Sequence, residues 1–243
     1  MRIIKLDATD STNSYLKRLY STESIADYTA ISTNSQTNGR GQMGTVWESE
    51  TSKNLTFSVF KGVVDFELEE PFYISMVISL ALIKTLSNLS IPKISIKWPN
   101  DILSADKKIC GVLIENVMKQ GKIHGTIIGV GLNVNQTLFD NLPKASSLKL
   151  ISGQHYDLDE LIIMIIKNLK DYFLLLKDRN YEELKAAYEL HLFRKNKPST
   201  FMDAEDVMFS GIIKGVSEVG MLKVLLEDNI LKAYDLKQIR LLY

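Results

Sequence analysis

The sequence predicts a chain of interleaved strands and helices that ends in a small β-rich unit. Three observations carry this. Residues 54–60, NLTFSVF, put Leu55, Phe57 and Val59 on one face, the period of a strand. Residues 71–89 open with Pro71 and are apolar nearly all round, as a buried helix is. After the polar stretch RKNKPST (194–200), short apolar runs separated by SEVG and EDN make a five-strand pattern. That tail is about the size of a small barrel.

The remaining elements follow in order. MRIIKL at the start reads as an edge strand. DSTNSYLKRLY (10–20) offers N-cap residues and then Tyr15, Leu16 and Leu19 at helical spacing. YTAISTNSQ (28–36) reads as a strand and leads into the glycine stretch GRGQMG (39–44). KISIKW (93–98) is a strand stopped by PND, and 108–134 gives two strands around a KQGK turn. Two helices are expected over 157–177 and 181–193, and the polar stretch after them divides the chain into units 1–195 and 196–243.

Lys plus Arg equals Asp plus Glu at 29 each, so the chain lacks the overall basicity of a nucleic-acid binder. One cysteine, Cys110, allows no intramolecular disulfide and suits a reducing cytoplasm. The N-terminus has no secretory apolar run, and LIIMII (161–166), broken by Lys167, is too short to span a bilayer. A cytoplasmic protein that binds neither nucleic acid nor membrane is expected.

GRGQMG fits the dinucleotide pattern G-x-G-x-x-G letter for letter, but the context fails. The fingerprint needs a helix after its third glycine, and here a polar loop and a strand follow. The glycines alone fit a plain β–β connection. Arg40 between two of them and Trp47 beyond them fit an anion and a flat ring equally well. No P-loop or G-x-S-x-G elbow occurs, the three histidines (124, 155, 191) are far apart, and Cys110 sits in an apolar run. KWPND (97–101) is either a strand ended by a turn or a place to hold phosphates or a metal. Lys108 is either a strand-edge solubiliser or a fixed cation. Gly129 and Gly131 share one side of their strand, for close packing or for a flat ligand.

Taken together, DSTN, Q-x-x-GRG-x-x-G-x-x-W, KWPND, K-x-x-G-x-L-x-E and G-x-G-x-N resemble the catalytic domain of biotin protein ligases over residues 10–133. The tail resembles that family's small SH3-like β-barrel domain. The resemblance implies an α+β fold, a mixed sheet packed with helices, of the class II aminoacyl-tRNA synthetase and biotin synthetase type. It implies an ATP-dependent ligase that makes biotinyl-5′-AMP and transfers biotin to a lysine of the carrier protein of acetyl-CoA carboxylase. Biotin and ATP are then substrates and Mg²⁺ the metal, with a homodimer through the exposed sheet face allowed.

Roles follow by the same resemblance. Ser11, Thr12 and Gln36 match positions that bond the ureido ring, with Asn13 beside them; hydroxyls and an amide suit its two N–H groups and carbonyl. Gly39, Gly41 and Gln42 fall in the loop over biotin, and Gly111, Gly129 and Gly131 give it room against backbone. Arg40 and Lys108 match the cations where carboxylate meets α-phosphate, and are the expected catalytic pair. Trp47, Asn100, Asn133 and Arg240 are the expected ATP contacts and Asp101 the Mg²⁺ carboxylate.

Two features depart from the commonest pattern. Gln42 stands where an arginine is frequent, which implies weaker retention of the adenylate; Gly44, by contrast, looks uninformative. The chain starts too close to DSTN for an N-terminal DNA-binding domain, so a ligase without repressor activity is expected. A lipoate or octanoate ligase or transferase on the related fold is the alternative enzyme, and an inactive biotin-binding module the alternative of another class.

Overall fold

In the computed structural model, which describes residues 1–63, 70–140 and 142–243, twelve strands and five α-helices form two sheets and their cover. The first nine strands and helices run β1 (Arg2–Thr9), α1 (Thr12–Thr22), β2 (Thr29–Gln36), β3 (Leu55–Gly62), α2 (Phe72–Asn88), β4 (Ile94–Lys97), β5 (Asp101–Ser104), β6 (Lys107–Lys119) and β7 (Lys122–Leu132). Their seven strands lie in the order β1-β2-β3-β7-β6-β5-β4. β1 pairs β2 in parallel and every other pair is antiparallel, so the sheet is mixed and β1 is an edge.

Two different covers explain why β3 is buried on both faces rather than on one. Leu55, Phe57 and Val59 join the main core with the apolar α2. α2 in turn packs on α4 (Leu158–Lys177) and α5 (Tyr181–Leu190). The opposite face of the sheet is covered by α1, where Leu16, Ile31, Phe60 and Ile127 form a smaller cluster. Ser58 lies fully buried on that second face, a small polar group among apolar ones.

Two short elements escape the sequence pattern. β5 has four residues starting at the Asp of PND, too few to show alternation, and turns into β6 through Ala105 at φ 53°. α3 (Leu148–Ser152) is one turn long, started by Ser147 Oγ accepting from Leu150 N and ended by Gly153 at φ 74°. α4 is capped by Asp157, whose carboxylate accepts from Glu160 N and Asp159 N and is thereby held below the usual carboxylate range. No helix among the described residues is long and apolar enough to cross a membrane.

The second sheet holds β8 (Pro198–Asp203), β9 (Met208–Val216), β10 (Leu222–Leu226), β11 (Leu231–Tyr234) and β12 (Ile239–Leu242), all antiparallel, in the order β11-β10-β9-β8-β12. The polar stretch before it is not a loose tether. β8 begins inside it at Pro198, Asn196 N donates to Ile213 O (2.9 Å), and Arg194 Nε donates to Ser199 Oγ (2.8 Å). The two units share a core, with Phe201, Ile213 and Val216 in the same cluster as Tyr188 of α5. Trp98 Nε1 donates to Gly220 O (2.8 Å) across the junction. Cys110 is fully buried in β6, where burial pushes its thiol up and keeps it un-ionised.

Candidate functional site

A hollow opens on the α1 side of the mixed sheet. Its polar end is built where β1 hands over to α1. Arg18 forks onto Asp10 (2.8 and 2.9 Å), fixing the entry to the helix and holding that carboxyl well below its usual range. Ser11 is the extended N-cap, and Thr12 and Asn13 are buried in the first turn. Gln36, at the end of β2, accepts from Thr12 N through Oε1 (2.8 Å), doing the capping that the Ser11 side chain does not. Ser58 Oγ lies 2.6 Å from Thr12 Oγ1 and 2.5 Å from Asn13 Oδ1. The amide oxygen can only accept, so Ser58 gives it its single proton, and Thr12 Oγ1 has one proton to share between Ser58 Oγ and Gln36 Oε1 at 3.2 Å.

The glycine stretch folds as a narrow hairpin over this end. Arg40 bridges Val46, Gly41 N donates to Thr45 O (2.6 Å) and Trp47 N donates to Gly39 O (3.0 Å). Gln42–Gly44 form one 3₁₀ turn, with Met43 at φ 57° and Gly44 at φ 78°. The third glycine is therefore not idle: it takes a left-handed conformation that favours glycine. A Cβ at Gly39 would lie 2.2 Å from Trp47 O, so that glycine serves the hairpin and does not line the hollow.

Gly111, Gly129 and Gly131 line the first hollow and also make room for two side chains. A Cβ at Gly129 would meet Asn13 Oδ1 at 2.4 Å, and one at Gly131 would meet Trp47 Cε2 at 2.3 Å. Gly111, paired with Gly131 across the ladder, lies under the same indole. Their space is taken by Asn13 and Trp47.

Trp47 makes a partition. Val46, Trp47, Asp101 and Lys108 line both the first hollow and a second one beyond it. The second is lined also by Lys97, Asn133, Lys144 and Tyr243. At the partition Lys108 Nζ is 2.6 Å from Asp101 Oδ1 and 5.6 Å from the Trp47 ring centre, while Lys97 Nζ is 3.5 Å from Asp101 Oδ2.

Most of the residues singled out from sequence thus converge on the first hollow, while Gly39, Asn133 and Arg240 lie off it. Asn100 lines the first hollow and donates its side-chain amide to Val112 O (2.6 Å), holding β6 in place. Asn133 lines the second hollow, with its amide donated to Ser146 O (3.0 Å). Arg240 lines neither hollow: it is exposed on β12, with its guanidinium 2.8 Å from Met202 Sδ. The sequence reading missed Ser58, hidden on the other face of β3, and Lys144 and Tyr243, whose ammonium and ring lie 3.9 Å apart. It also gave no role to Glu115, the last letter of K-x-x-G-x-L-x-E.

A match to the biotin/lipoate A/B protein ligase family runs over residues 6–133, more than half of the chain. The chain belongs to that family. Among relatives, the bifunctional ligase/repressor BirA of Escherichia coli is 28% identical over 94% of this chain and 70% of its own. BirA of Bacillus spizizenii is 27% identical over 85% of this chain, which spans only 64% of that relative's length. The solved biotin protein ligase of Aquifex aeolicus in complex with biotin and ATP is 26% identical, with a TM-score of 0.83 over 99% of this chain and 98% of that one. Membership of the family leaves biotin and lipoate both open as the acid that is attached.

Proposed function

We propose that this family member is an ATP-dependent biotin–protein ligase. The observation that carries the proposal is the meeting of two hollows at Lys108 and Asp101, one ending in hydroxyls and amides, the other lined by lysines and a tyrosine. The first suits a ureido ring better than an alkyl or dithiolane tail. The second suits a polyphosphate nucleotide, with Trp47 at the wall for adenine to stack on. The Aquifex aeolicus relative, bound to biotin and ATP, supports the same pairing of ligands.

The chemistry follows from position. A carboxylate oxygen of biotin attacks the α-phosphorus, a P–O bond forms, and the bond to the leaving pyrophosphate breaks. Two anions must approach, and Lys108 and Arg40 supply fixed positive charge on the hollow's wall. A carrier lysine then attacks the acyl carbon, the C–O bond to AMP breaks, and the amine's proton leaves to solvent. Asp101 aims Lys108 across the partition. Asp101 is a carboxylate shared by two lysines, so magnesium carried in on phosphates would take it from one of them and would supply charge neutralisation there. In the same reading residues 1–195 bear the ligase site, 196–243 form the accessory β unit, and the acceptor is the carrier domain of acetyl-CoA carboxylase in the cytoplasm.

ATP–pyrophosphate exchange tests this. Exchange is expected with biotin and not with lipoate, followed by a mass increase of the carrier by one biotinyl group; exchange with lipoate alone would overturn the biotin reading. Gln42 gives a second expectation. It starts the 3₁₀ turn and lines the first hollow, adding no charge there. Gln42→Arg is expected to slow adenylate escape about tenfold, the effect of one added charge-assisted bond. An off-rate that is unchanged or faster in the variant contradicts the role given to this position.

A further inference from the structure

Glu115 stands where the loop, the helix and the sheet meet. On β6, residues 111, 113 and 115 share one face, and Gly111 and Leu113 of that set line the first hollow. Glu115 Oε2 accepts from Asn13 Nδ2 at 2.8 Å and from Arg40 NH2 at 2.9 Å, and Arg40 NH2 also lies 3.2 Å from Ser14 Oγ. Through Asn13 the carboxylate continues the hydrogen-bond line that starts at Thr12 and passes Ser58. The other hydrogen bonds of the hairpin that carries Arg40 run mostly within it, from Gly41 to Thr45 and from Trp47 to Gly39. Arg40 thus ties the tip of that hairpin to the floor of the hollow, and Glu115 is the anion that receives it.

We propose that Glu115 is a positioning residue that anchors the Arg40 hairpin over the first hollow before any substrate arrives. The pair is partly open to solvent, at 40% for Arg40 and 26% for Glu115, so its strength is that of a surface ion pair backed by two amide and hydroxyl contacts. A small strength suits the task. The hairpin is ordered in advance, yet a substrate anion can draw Arg40 off the carboxylate without a large cost. The adenylation role of Arg40 rests on the ligase reading above; the anchoring of the hairpin does not.

The experiment therefore separates the two. Amide hydrogen exchange of residues 39–47 is measured on the substrate-free chain, for the wild type, Glu115→Gln, Arg40→Gln and the double variant. Glu115→Gln keeps the shape and removes the charge. It is expected to speed exchange at Gly41 and Trp47 up to about fivefold, the upper effect of an exposed ion pair, while exchange in β3 and β7 stays at the wild-type rate. The double variant is expected to match Arg40→Gln alone, since both break one contact. Unchanged exchange in both single variants, or effects that add in full, overturns the anchor. If Glu115→Gln does not fold, Arg40→Gln carries the same expectation. In ATP–pyrophosphate exchange the KM for the acid should rise by a similar factor at nearly unchanged kcat in Glu115→Gln, and saturating substrate should restore hairpin protection. Loss of kcat with normal protection would assign Glu115 to the chemistry and not to anchoring. Absence of exchange in the wild type would instead strike the ligase reading.

Discussion

Lys108→Ala is expected to lower ATP–pyrophosphate exchange by on the order of 10²- to 10³-fold, the range for removing one charge-stabilising donor from a transition state. The backbone on both sides of Lys108 is clamped, Lys108 N donating to Lys144 O (2.7 Å) and Ser146 N to Lys108 O (3.0 Å). Its side chain therefore leaves from a fixed point, and its ammonium stands at the partition against Asp101. The loss has two parts. The site loses a cation where two anions must approach. It also keeps Asp101, whose remaining cation is Lys97 at 3.5 Å, facing the same approach. Lys108→Ala with Asp101→Asn separates them, because the double variant should regain the second part alone. Stability should scarcely change, since a partly exposed ion pair contributes about 0–1 kcal/mol. Carrier biotinylation that survives Lys108→Ala at the wild-type rate would remove Lys108 from the mechanism.

What the sequence made legible, and what it hid, follows from the range of the forces involved. Period-two and period-3.6 patterns are local, so β3, α2 and the β6–β7 hairpin could be read from their own residues. The resemblance then gathered distant motifs, and most of their side chains do line one hollow. What stayed hidden depends on which segments the topology brings side by side. Ser58 is one polar letter in an alternating strand, and only the placement of α1 on its face gives it Thr12 and Asn13 as partners. Glu115 is one unassigned letter of a motif, yet register sets it beside a loop 75 positions earlier in the chain. Arg240 came from the resemblance as well, and the topology puts it on β12 outside both hollows.

The glycines of β7 supply the second large effect, and it comes from shape alone. Gly131 is paired on both sides, with Gly111 on β6 and Thr56 on β3, so its backbone cannot shift without disturbing three strands. A methyl group there would lie 2.3, 2.5 and 2.7 Å from three atoms of the Trp47 indole, far inside contact distance. The ring must therefore move by about 1 Å or more, and a displacement of that size in a positioning group costs on the order of 10²-fold in rate. Gly131→Ala is expected to lower kcat/KM for ATP in the exchange reaction by that order. Gly111→Ala should be milder, because its nearest clash with the indole is 3.1 Å and the other contacts are with the flexible end of Lys108. The decisive comparison is made in a Trp47→Ala background. With the indole gone, the methyl group has space, so Gly131→Ala should add little to the loss already caused by Trp47→Ala. Multiplying penalties would mean that Gly131 acts through the backbone of β7 and not by making room for the tryptophan that divides the two hollows.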